Sequence, residues 1–534
     1  MQTTLLPRRR WKAPTLITRT NCTMAAVLAV KKEITADMRF SSAGGAPSPV
    51  YVGSAHLGCS PVAIYVLSIT LLAGVLRTLF LTSQGITLDE SLSLYFGRTG
   101  FGNFLDIIWH SEFNMVFYYV LLRLWMHLGH GEWMVRFLNV LFSTATVPVV
   151  YALGARLFNR RVGLLAALLL ALHPYHLMLA QRARSYPLAV LVVSMSSLLF
   201  VRLMQRPGWR DALAYALLSA AAVYAHFFAL LVIAAHLSSA PFAGPRRAPW
   251  KMVAVSTCGL VLLLIPFAWF SFTHGSTSHI EWVQDLSRGQ VMRVLYSLTL
   301  NKLRSLCYMA LWLAAVYAFV RSSRTSRWAY EFCFAWLLTP VLLTAIVSVW
   351  HPLMVERYLS LCLPASVLIA AAGAMALIQR SKSVGYAVVA IAIFYSIAAI
   401  RSYDRHPEFA EGWREACWSI LDRVQPGDAV IAESLVGDTL DYYRETYSQA
   451  LPHFSRLDSF GSALPAPLPA NVWILASVRF NPNWRGAVAG VSEAAVAEFA
   501  KEHRGEYCPS STYFQAGEAR VWQFRLCALP NQAR

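Results

Sequence analysis

The sequence predicts an all-α polytopic membrane protein with about 11 transmembrane helices, followed by a small extracytoplasmic α/β domain. Of its 534 residues, 57% are hydrophobic and only 14% are charged, too few charges to cover a soluble protein of this size. The apolar residues come in runs, each long enough to cross a hydrocarbon layer of roughly 30 Å. So many runs would overfill a single soluble core, which excludes a large soluble protein.

Residues 1–60 form the first segment and are neither apolar nor periodic. They carry a basic triplet at 8–10 and a stretch of serine, alanine and glycine at 41–45. This composition predicts a disordered cytoplasmic leader, because it offers too little apolar surface to form a core. The true start of the protein could equally be Met24 or Met38.

Residues 61–400 form the predicted transmembrane domain. The apolar block 211–242 would be about 48 Å long as a single helix, too long for one crossing, and is therefore divided at Tyr224–His226. The predicted spans are then 62–82, 133–156, 162–180, 186–204, 211–225, 226–242, 252–272, 296–320, 328–349, 353–378 and 384–400.

A further apolar segment, 114–128, is about 22 Å long as a helix and therefore short for a span. It carries Arg123 and His127 at helical spacing, which predicts an interfacial helix on the outer membrane surface. With the N-terminus in the cytoplasm, these choices place every short basic loop on the inner side, as the positive-inside rule requires. Reversing one choice alone would flip every later loop, whereas reversing both would leave only the 159–161 loop on the wrong side, so this double change stays open. The formal charge of +18 therefore indicates membrane topology rather than binding to nucleic acid.

Residues 401–534 would then lie outside the membrane, and their composition differs sharply from that of the spans. Strands are predicted at 428–433, 471–477 and 519–526, and helices at 438–445 and 492–503. These elements predict an α/β domain of about 130 residues, an ordinary domain size. Cys508 and Cys527 could pair if this domain is extracytoplasmic, but the sequence leaves their pairing open.

An acidic pair, Asp89 and Glu90, follows the first predicted span. Carboxylates beside hydrocarbon are costly to place, so they mark a functional site. Arginine binds phosphate bidentately and remains charged near lipid, although each arginine here could instead extend toward lipid headgroups. The pattern predicts an extracytoplasmic site for an anionic, lipid-borne substrate. The predicted topology brings further polar side chains from several outer loops to the same face: Glu112, Asn114, Arg182, Arg184, Tyr186, His226, Glu356, Arg357 and Tyr358.

Several short motifs follow the acidic pair in a fixed order. They are Tyr-Tyr-x-Leu-Leu-Arg-Leu-Trp at 118–125, Arg-Phe-Leu-Asn-Val-Leu-Phe at 136–142, Gly-Ala-Arg-Leu-Phe-Asn-Arg-Arg at 154–161, Gln-Arg-Ala-Arg-Ser-Tyr at 181–186, His-Phe-Phe at 226–228 and Glu-Arg-Tyr-Leu at 356–359. This ordered set resembles the GT-C glycosyltransferases. The likeness is to the bacterial branch similar to dolichyl-phosphate-mannose protein mannosyltransferases and to the aminoarabinose transferase that modifies lipid A. It covers residues 62–400, and Trp413-Arg414 at the start of the tail also fits.

The resemblance implies a multi-pass enzyme of a bacterial plasma membrane. Such an enzyme transfers a sugar from a polyprenyl-phosphate donor to an extracytoplasmic lipid, glycan or protein acceptor, normally with inversion. Asp89 matches the acidic residue implied to activate or orient the acceptor, and Glu90 would be its catalytic partner. The positions implied to bind the donor phosphate are Arg184, Tyr186, Arg357 and Tyr358. The other residues expected to line the substrate site are Glu112, Asn114, Tyr118, Arg182, His226 and Glu356.

Two departures from the family pattern leave the acceptor and the roles of the carboxylates open. The His-Pro-Pro that often precedes Tyr-Tyr is absent, and Asn114 holds the histidine position. Arg182 replaces the glutamate of the common Gln-Glu-Ala-Arg. An inverting transfer needs one base and positive charge at the departing phosphate, so no cofactor is required. Asp89 and Glu90 could nevertheless hold a divalent metal.

Two other functions are open from the sequence. A transporter or flippase of lipid-linked sugars would also place charges along a membrane path. Transporters, however, tend to show paired repeats and charges at the bilayer midplane, whereas this chain has no internal repeat and its charges collect at one face. A non-catalytic scaffold leaves Asp89 and Glu90 without a role. The sequence therefore favours the transferase, without naming the sugar or the acceptor.

Overall fold

The computed structural model of the protein describes residues 61–110, 112–243, 249–274, 283, 285–299, 305–403, 411–432, 434–446, 450–459, 463–477, 493–508 and 512–527. The predicted leader, residues 1–60, lies outside this part of the chain. The described residues form a bundle of helices with a small mixed sheet at one end.

The first helix, α1 (Pro61–Thr78), is apolar and ends before the predicted boundary at residue 82. Phe80 has a φ of 61°, a left-handed conformation that cannot continue a right-handed helix. The segment predicted as an interfacial helix is helical, and Tyr118, Tyr119 and Leu122 on it are buried against the rest of the protein. The loop after α1 contains three short helices: α2 (Leu88–Arg98), α3 (Phe101–His110) and α4 (Val116–Met126).

The bundle continues through thirteen further helices of the described chain. These are α5 (Glu132–Leu157), α6 (Arg160–Ala171), α7 (Pro174–Ala180), α8 (Tyr186–Gln205), α9 (Trp209–Ala225), α10 (Ala229–Ser239), α11 (Trp250–Leu263), α12 (Ile265–His274), α13 (Arg288–Leu298), α14 (Ser305–Arg321), α15 (Arg324–Val347), α16 (Leu363–Arg380) and α17 (Lys382–Tyr403). The predicted division of 211–242 agrees with the structure, because α9 ends at Ala225 and His226 has an extended backbone.

Six of the described helices are long and apolar enough to cross a membrane, or up to eight if two bent pairs each form one span. The bent pairs are α6–α7, at 59°, and α11–α12, at 46°. Pro174 and Pro266 lie at the two breaks, where proline removes a backbone donor and disrupts the helix. The predicted count of 11 spans is therefore not confirmed, because several predicted spans are bent or are short apolar helices.

Helix α16 occupies the centre of the bundle, and nearly all of its side chains are buried. Gly373 allows α14 to approach it, since a Cβ at this position would lie 1.8 Å from the carbonyl oxygen of Leu311. The C-terminal parts of α14 and α16 are in contact. There Arg380 donates to the hydroxyl of Tyr317 at 3.1 Å.

The described residues of the tail form three helices, α18 (Trp413–Leu421), α19 (Ser434–Thr446) and α20 (Glu493–Glu502), and a six-stranded sheet. Its strands are β1 (Ala429–Ile431), β2 (Ser455–Leu457), β3 (Asn471–Ser477), β4 (Tyr507–Cys508), β5 (Thr512–Ala516) and β6 (Ala519–Leu526). The strand order is β2-β1-β3-β6-β4, with β5 also paired to β6, and only the pairs that β1 makes with β2 and β3 are parallel. The two longest strands have their predicted bounds, and Cys508 and Cys527 form a disulfide that ties β4 to the end of β6.

Candidate active site at the end of the bundle

Glu90 is fully buried in the first turn of α2. Its carboxylate accepts two hydrogen bonds from Arg136, of 2.8 and 2.7 Å, in a bidentate pair. It also accepts the backbone N–H groups of Ala183 and Thr87, and it completes a capping box with Thr87. Burial alone would raise the pKa of Glu90, but Arg136 and the two N–H groups lower it below its usual value. Because both oxygens are occupied, the geometry supports a positioning role for Glu90 rather than the catalytic role predicted.

Arg136 extends from α5 into the loop between α1 and α2. Hydrogen bonds donated by a charged guanidinium are among the stronger ones in proteins, so the side chain of Arg136 fixes the path of this loop. In addition to Glu90, it donates to three backbone carbonyls of that loop, those of Leu81 at 2.9 Å, Gln84 at 2.7 Å and Gly85 at 2.8 Å.

The turn that carries Arg182 and Arg184 is tied to the same loop. Asn139 of α5 donates to the backbone carbonyls of both arginines. Gln181 donates to the carbonyl of Leu79 at 2.8 Å. The two loops therefore form one hydrogen-bonded unit at the end of the bundle.

The tail holds the acidic loop from the other side. Arg414 of α18 pairs with Glu132 of α5 at 2.8 Å and donates to the carbonyl of Gln84 at 2.7 Å. The hydroxyl of Tyr443 on α19 donates to Glu132 at 2.6 Å and accepts the backbone N–H of Ile86 at 2.8 Å. Residues from both ends of the described chain therefore fix the approach to the acidic pair.

Two further contacts tighten this junction. A Cβ at Gly85 would lie 2.8 Å from the Cβ of Arg414 and 3.2 Å from the hydroxyl of Tyr443, so the contact requires glycine. Glu411 accepts the backbone N–H of Leu88, at the start of α2, at 3.0 Å.

Asp89 is adjacent to Glu90 in sequence but faces open space. Its side chain is 38% exposed, and its Oδ2 lies 3.0 Å from Nη1 of Arg357. Burial alone would raise the pKa of Asp89, but Arg357, Arg184 and Arg182 lower it below its usual value. The carboxylate is therefore ionised at neutral pH, as a base or an orienting group must be.

The three predicted arginines meet around Asp89. Arg184 is buried, and its Nη1 donates to the backbone carbonyl of Asp89 at 2.9 Å and to the hydroxyl of Ser93 at 3.1 Å. Arg357 makes the ion pair with the carboxylate, and the charge of Arg182 also acts on it. This cluster has more positive than negative side chains, which suits a phosphate group.

Three aromatic side chains, those of Tyr358, Tyr186 and His226, lie together beside Arg357. The ring centroids of His226 and Tyr358 are 4.9 Å apart, and those of Tyr186 and His226 are 5.7 Å apart. The guanidinium of Arg357 lies 5.9 Å from the ring centroid of Tyr358. Such rings offer an apolar surface that also carries hydroxyl and ring nitrogen groups.

Glu112 lies near Arg184, in the loop between α3 and α4. Burial raises the pKa of Glu112 to about 7, and the charge of Arg184 opposes this shift only in part. Asn114 accepts the backbone N–H of Phe227 at 3.2 Å and so supports the break between α9 and α10. These two residues of the predicted lining therefore lie on the side of the site formed by Arg184 and the His226 segment.

Two other predicted lining residues make different contacts. Tyr118 is fully buried beside Asn139, where the charges of Glu90 and Arg184 act on it. Glu356 faces Arg293 of α13 at 3.8 Å, and both side chains are exposed. Neither arrangement places the side chain against Asp89.

The acidic pair does not have the geometry of a shared metal site. Both oxygens of Glu90 are bound to Arg136 and to backbone N–H groups, so they offer no ligand to a divalent ion. Within the described part of the chain, no group of three or more His, Cys, Asp or Glu side chains is placed to hold a metal.

Sequence reasoning missed the residues that hold the loops together, chiefly Arg136, Asn139 and Glu132. One signal was available, because Thr87-Leu88-Asp89-Glu90 has the spacing of a capping box and so predicts a structural Glu90. Arg136 and Asn139 lie in the motif at 136–142, but the motif does not indicate which residues they contact.

Fold and site together define a class of protein. A helical membrane bundle presents, at one end, an ionised aspartate among three arginines, and a small sheet domain packs against the loop that carries the aspartate. This combination agrees with the GT-C class that the ordered motifs of the sequence resemble.

Comparison with known proteins supports this class. Residues 114–271 match the family model for dolichyl-phosphate-mannose-protein mannosyltransferase. ArnT from Cupriavidus metallidurans in the apo state is similar in structure, with a TM-score of 0.60 and 12% sequence identity over 87% of this chain and 98% of that one. The same protein bound to undecaprenyl phosphate has a TM-score of 0.57 and 12% identity over 86% and 98% of the two chains. No curated protein sequence matches the chain. The chain has the GT-C fold, and the resemblance drawn from its motifs is confirmed.

Proposed function

We propose that the protein is a membrane glycosyltransferase that moves a sugar from a polyprenyl-phosphate donor to an extracytoplasmic acceptor, with inversion at the anomeric carbon. The observation that carries this proposal is the ion pair between Asp89 and Arg357 in a partly exposed position at the end of the bundle. It combines a base for an acceptor with a cation for a phosphate. The match to the mannosyltransferase family supports the same reaction class.

Asp89 acts on the acceptor. Its carboxylate accepts the proton of an acceptor hydroxyl while the hydroxyl oxygen attacks the anomeric carbon. The bond between that carbon and the phosphate oxygen breaks, and the polyprenyl phosphate leaves as an anion. Because phosphate is a good leaving group, the reaction needs no acid to protonate it, and one carboxylate suffices where a glycoside hydrolase uses two.

Arg357, Arg184 and Arg182 supply the positive charge that stabilises the donor phosphate. A bound phosphate replaces Asp89 as the partner of Arg357 and frees the carboxylate for the acceptor. Because the phosphate then neutralises the charge of Arg357, the pKa of Asp89 rises and its carboxylate becomes a stronger base. Tyr186, Tyr358 and His226 contact the sugar or the start of the lipid, and the ArnT structure with undecaprenyl phosphate supports a long polyprenyl carrier.

The proposal is tested by comparing the masses of envelope glycans and lipids from cells with and without the protein. Loss of one sugar residue from one component identifies both sugar and acceptor. The purified protein should then transfer that sugar from its undecaprenyl-phosphate carrier. Movement of the carrier between membrane leaflets without transfer would identify a transporter instead.

Arg357→Ala should raise the apparent Michaelis constant for the donor by roughly 10- to 100-fold, because a charge-assisted bond to phosphate is lost. Initial rates over a range of donor concentrations measure this change. Arg293→Ala is the matched control, since Arg293 is exposed, faces Glu356 and should leave the constant unchanged. An unchanged constant with a lower turnover in Arg357→Ala would contradict phosphate binding.

We further propose that Asp89 and the tail face the outside of a bacterial plasma membrane, with the N-terminus in the cytoplasm. The basic loops at the opposite end support this orientation. The disulfide between Cys508 and Cys527 supports it as well, because such bonds persist in oxidising compartments.

A cysteine at Arg444 on α19, in a variant without other accessible thiols, should react with a membrane-impermeant maleimide added outside intact spheroplasts. A cysteine at Arg206, at the opposite end of the bundle, should react only in inverted vesicles. The reverse pattern of labelling would contradict the proposed orientation.

A further inference from the structure

A second cavity lies beside α2, between that helix, the end of α4 and α19 of the tail. Its volume is about 390 Å³, which is within the range of small-molecule sites. The proposed reaction leaves it without a role. Its polar lining consists mainly of Arg98, Arg123, His127, His130, Tyr442 and Glu445.

The charges at this cavity favour an anion. Its carboxylate, Glu445, is already paired with Arg98 at 2.6 Å and is mostly exposed. Arg123 has no carboxylate partner among the residues that the structure describes. The cavity therefore holds one uncompensated guanidinium together with two histidine side chains, His127 and His130.

Arg123 is held in place by contacts that leave part of its guanidinium available. Its Nη1 donates to the backbone carbonyls of Thr99 at 2.6 Å and Gly97 at 3.4 Å, and the group lies 5.2 Å and 5.9 Å from the ring centroids of Phe104 and Phe101. A guanidinium has five N–H donors, so Nη2 and Nε remain for a ligand. This arrangement also gives a role to the Arg123 and His127 pair, whose spacing along α4 first predicted an interfacial helix.

We propose that this cavity is an acceptor subsite that binds an anionic group, phosphate or carboxylate, on a saccharide. The inference rests on the proposed function and names a property of its acceptor. Asp89 lies in the first turn of α2 and Arg98 is its last residue, about 14 Å away at 1.5 Å per residue. The reacting hydroxyl and the anionic group are therefore separated by more than one sugar ring, and the acceptor is an oligosaccharide or a larger glycan.

The position of the cavity favours a saccharide over an anionic membrane lipid. Tyr442 and Glu445 belong to α19, so the tail forms one wall of the cavity. The ring of Tyr442 is buried behind this wall, where the guanidinium of Arg98 lies 5.5 Å from its centroid.

The test uses the full-length protein in phosphatidylcholine nanodiscs, with glucose 1-phosphate as the probe and glucose as the neutral control. Glucose 1-phosphate should raise the thermal unfolding midpoint of the wild type, and glucose should not. Arg123→Gln should weaken binding of the probe by about tenfold, because one charge-assisted contact is lost. His127→Gln replaces an exposed side chain and should weaken binding in a protein that folds normally.

Binding of undecaprenyl phosphate separates this site from the donor site. The Arg123→Gln variant should bind undecaprenyl phosphate as the wild type does. The Arg357→Ala variant should no longer bind undecaprenyl phosphate but should still respond to glucose 1-phosphate. Equal probe binding by wild type, Arg123→Gln and His127→Gln would overturn the subsite, and so would loss of the response in Arg357→Ala alone. Displacement of the probe by phosphatidylglycerol in the nanodisc would also overturn it, in favour of a lipid site. If Arg357→Ala keeps undecaprenyl phosphate binding, the proposed function fails while the cavity result stands.

Discussion

Asp89→Asn is expected to slow sugar transfer by at least about 100-fold, because general base catalysis contributes a factor of this order or more. An amide keeps the shape of the carboxylate but cannot accept the proton of the acceptor hydroxyl. The change should leave the fold intact, since the Asp89 side chain is partly exposed and its ion pair contributes about 1 kcal/mol or less. Initial rates with saturating donor, together with thermal unfolding, measure both effects.

The matched control for this variant is Asp106→Asn. Asp106 lies on α3 in the same loop region, is mostly exposed and pairs only locally with His110. Its substitution should leave the transfer rate unchanged. A wild-type rate in the Asp89 variant would exclude Asp89 as the base.

Arg136→Met is expected to lower the free energy of unfolding by about 3–5 kcal/mol, the usual cost of leaving one partner of a buried ion pair without the other. The substitution leaves Glu90 buried without its counter-ion and removes the donor to three loop carbonyls. Because Asp89 follows that loop directly, activity should fall with stability. Thermal unfolding in detergent and the transfer assay test the two effects separately.

Arg202→Met provides the comparison for an exposed pair. Arg202 pairs with Asp211 at 3.0 Å at the opposite end of the bundle, and its side chain is 45% exposed. Loss of an exposed pair costs up to about 1 kcal/mol. If Arg136→Met is no more destabilising than this control, the buried pair does not hold the acidic loop.

The sequence predicted the arginine cluster well because motif order and the positive-inside rule constrain which loops share a face. Asp89, Arg184 and Arg357 come from three distant loops and meet as expected. The catalytic role predicted for Glu90 stays a prediction, whereas its capping-box spacing already indicated the structural contacts that Glu90 makes. Its pairing with Arg136 depends on how α2 packs against α5, and helical packing leaves no local signal in either segment.

For the spans as well, the sequence predicts features that depend on neighbouring residues better than features that depend on distant ones. Hydropathy located almost every apolar segment, since it depends only on neighbouring residues. It did not show that two of these segments bend at Pro174 and Pro266, and the predicted count of 11 crossings is not confirmed. In the tail, alternation of apolar residues located 471–477 and 519–526, whereas the order of strands in the sheet depends on contacts between distant segments.

The junction between Ile86 and Tyr443 joins groups 357 residues apart in sequence. Contacts between such distant residues form late in folding, because a long loop must close before they are made. The membrane helices therefore insert before the loop of Asp89 acquires its final support, and the acidic pair reaches its working geometry only when α19 has been synthesised and folded. A nascent or truncated chain that lacks the tail would accordingly span the membrane but remain inactive.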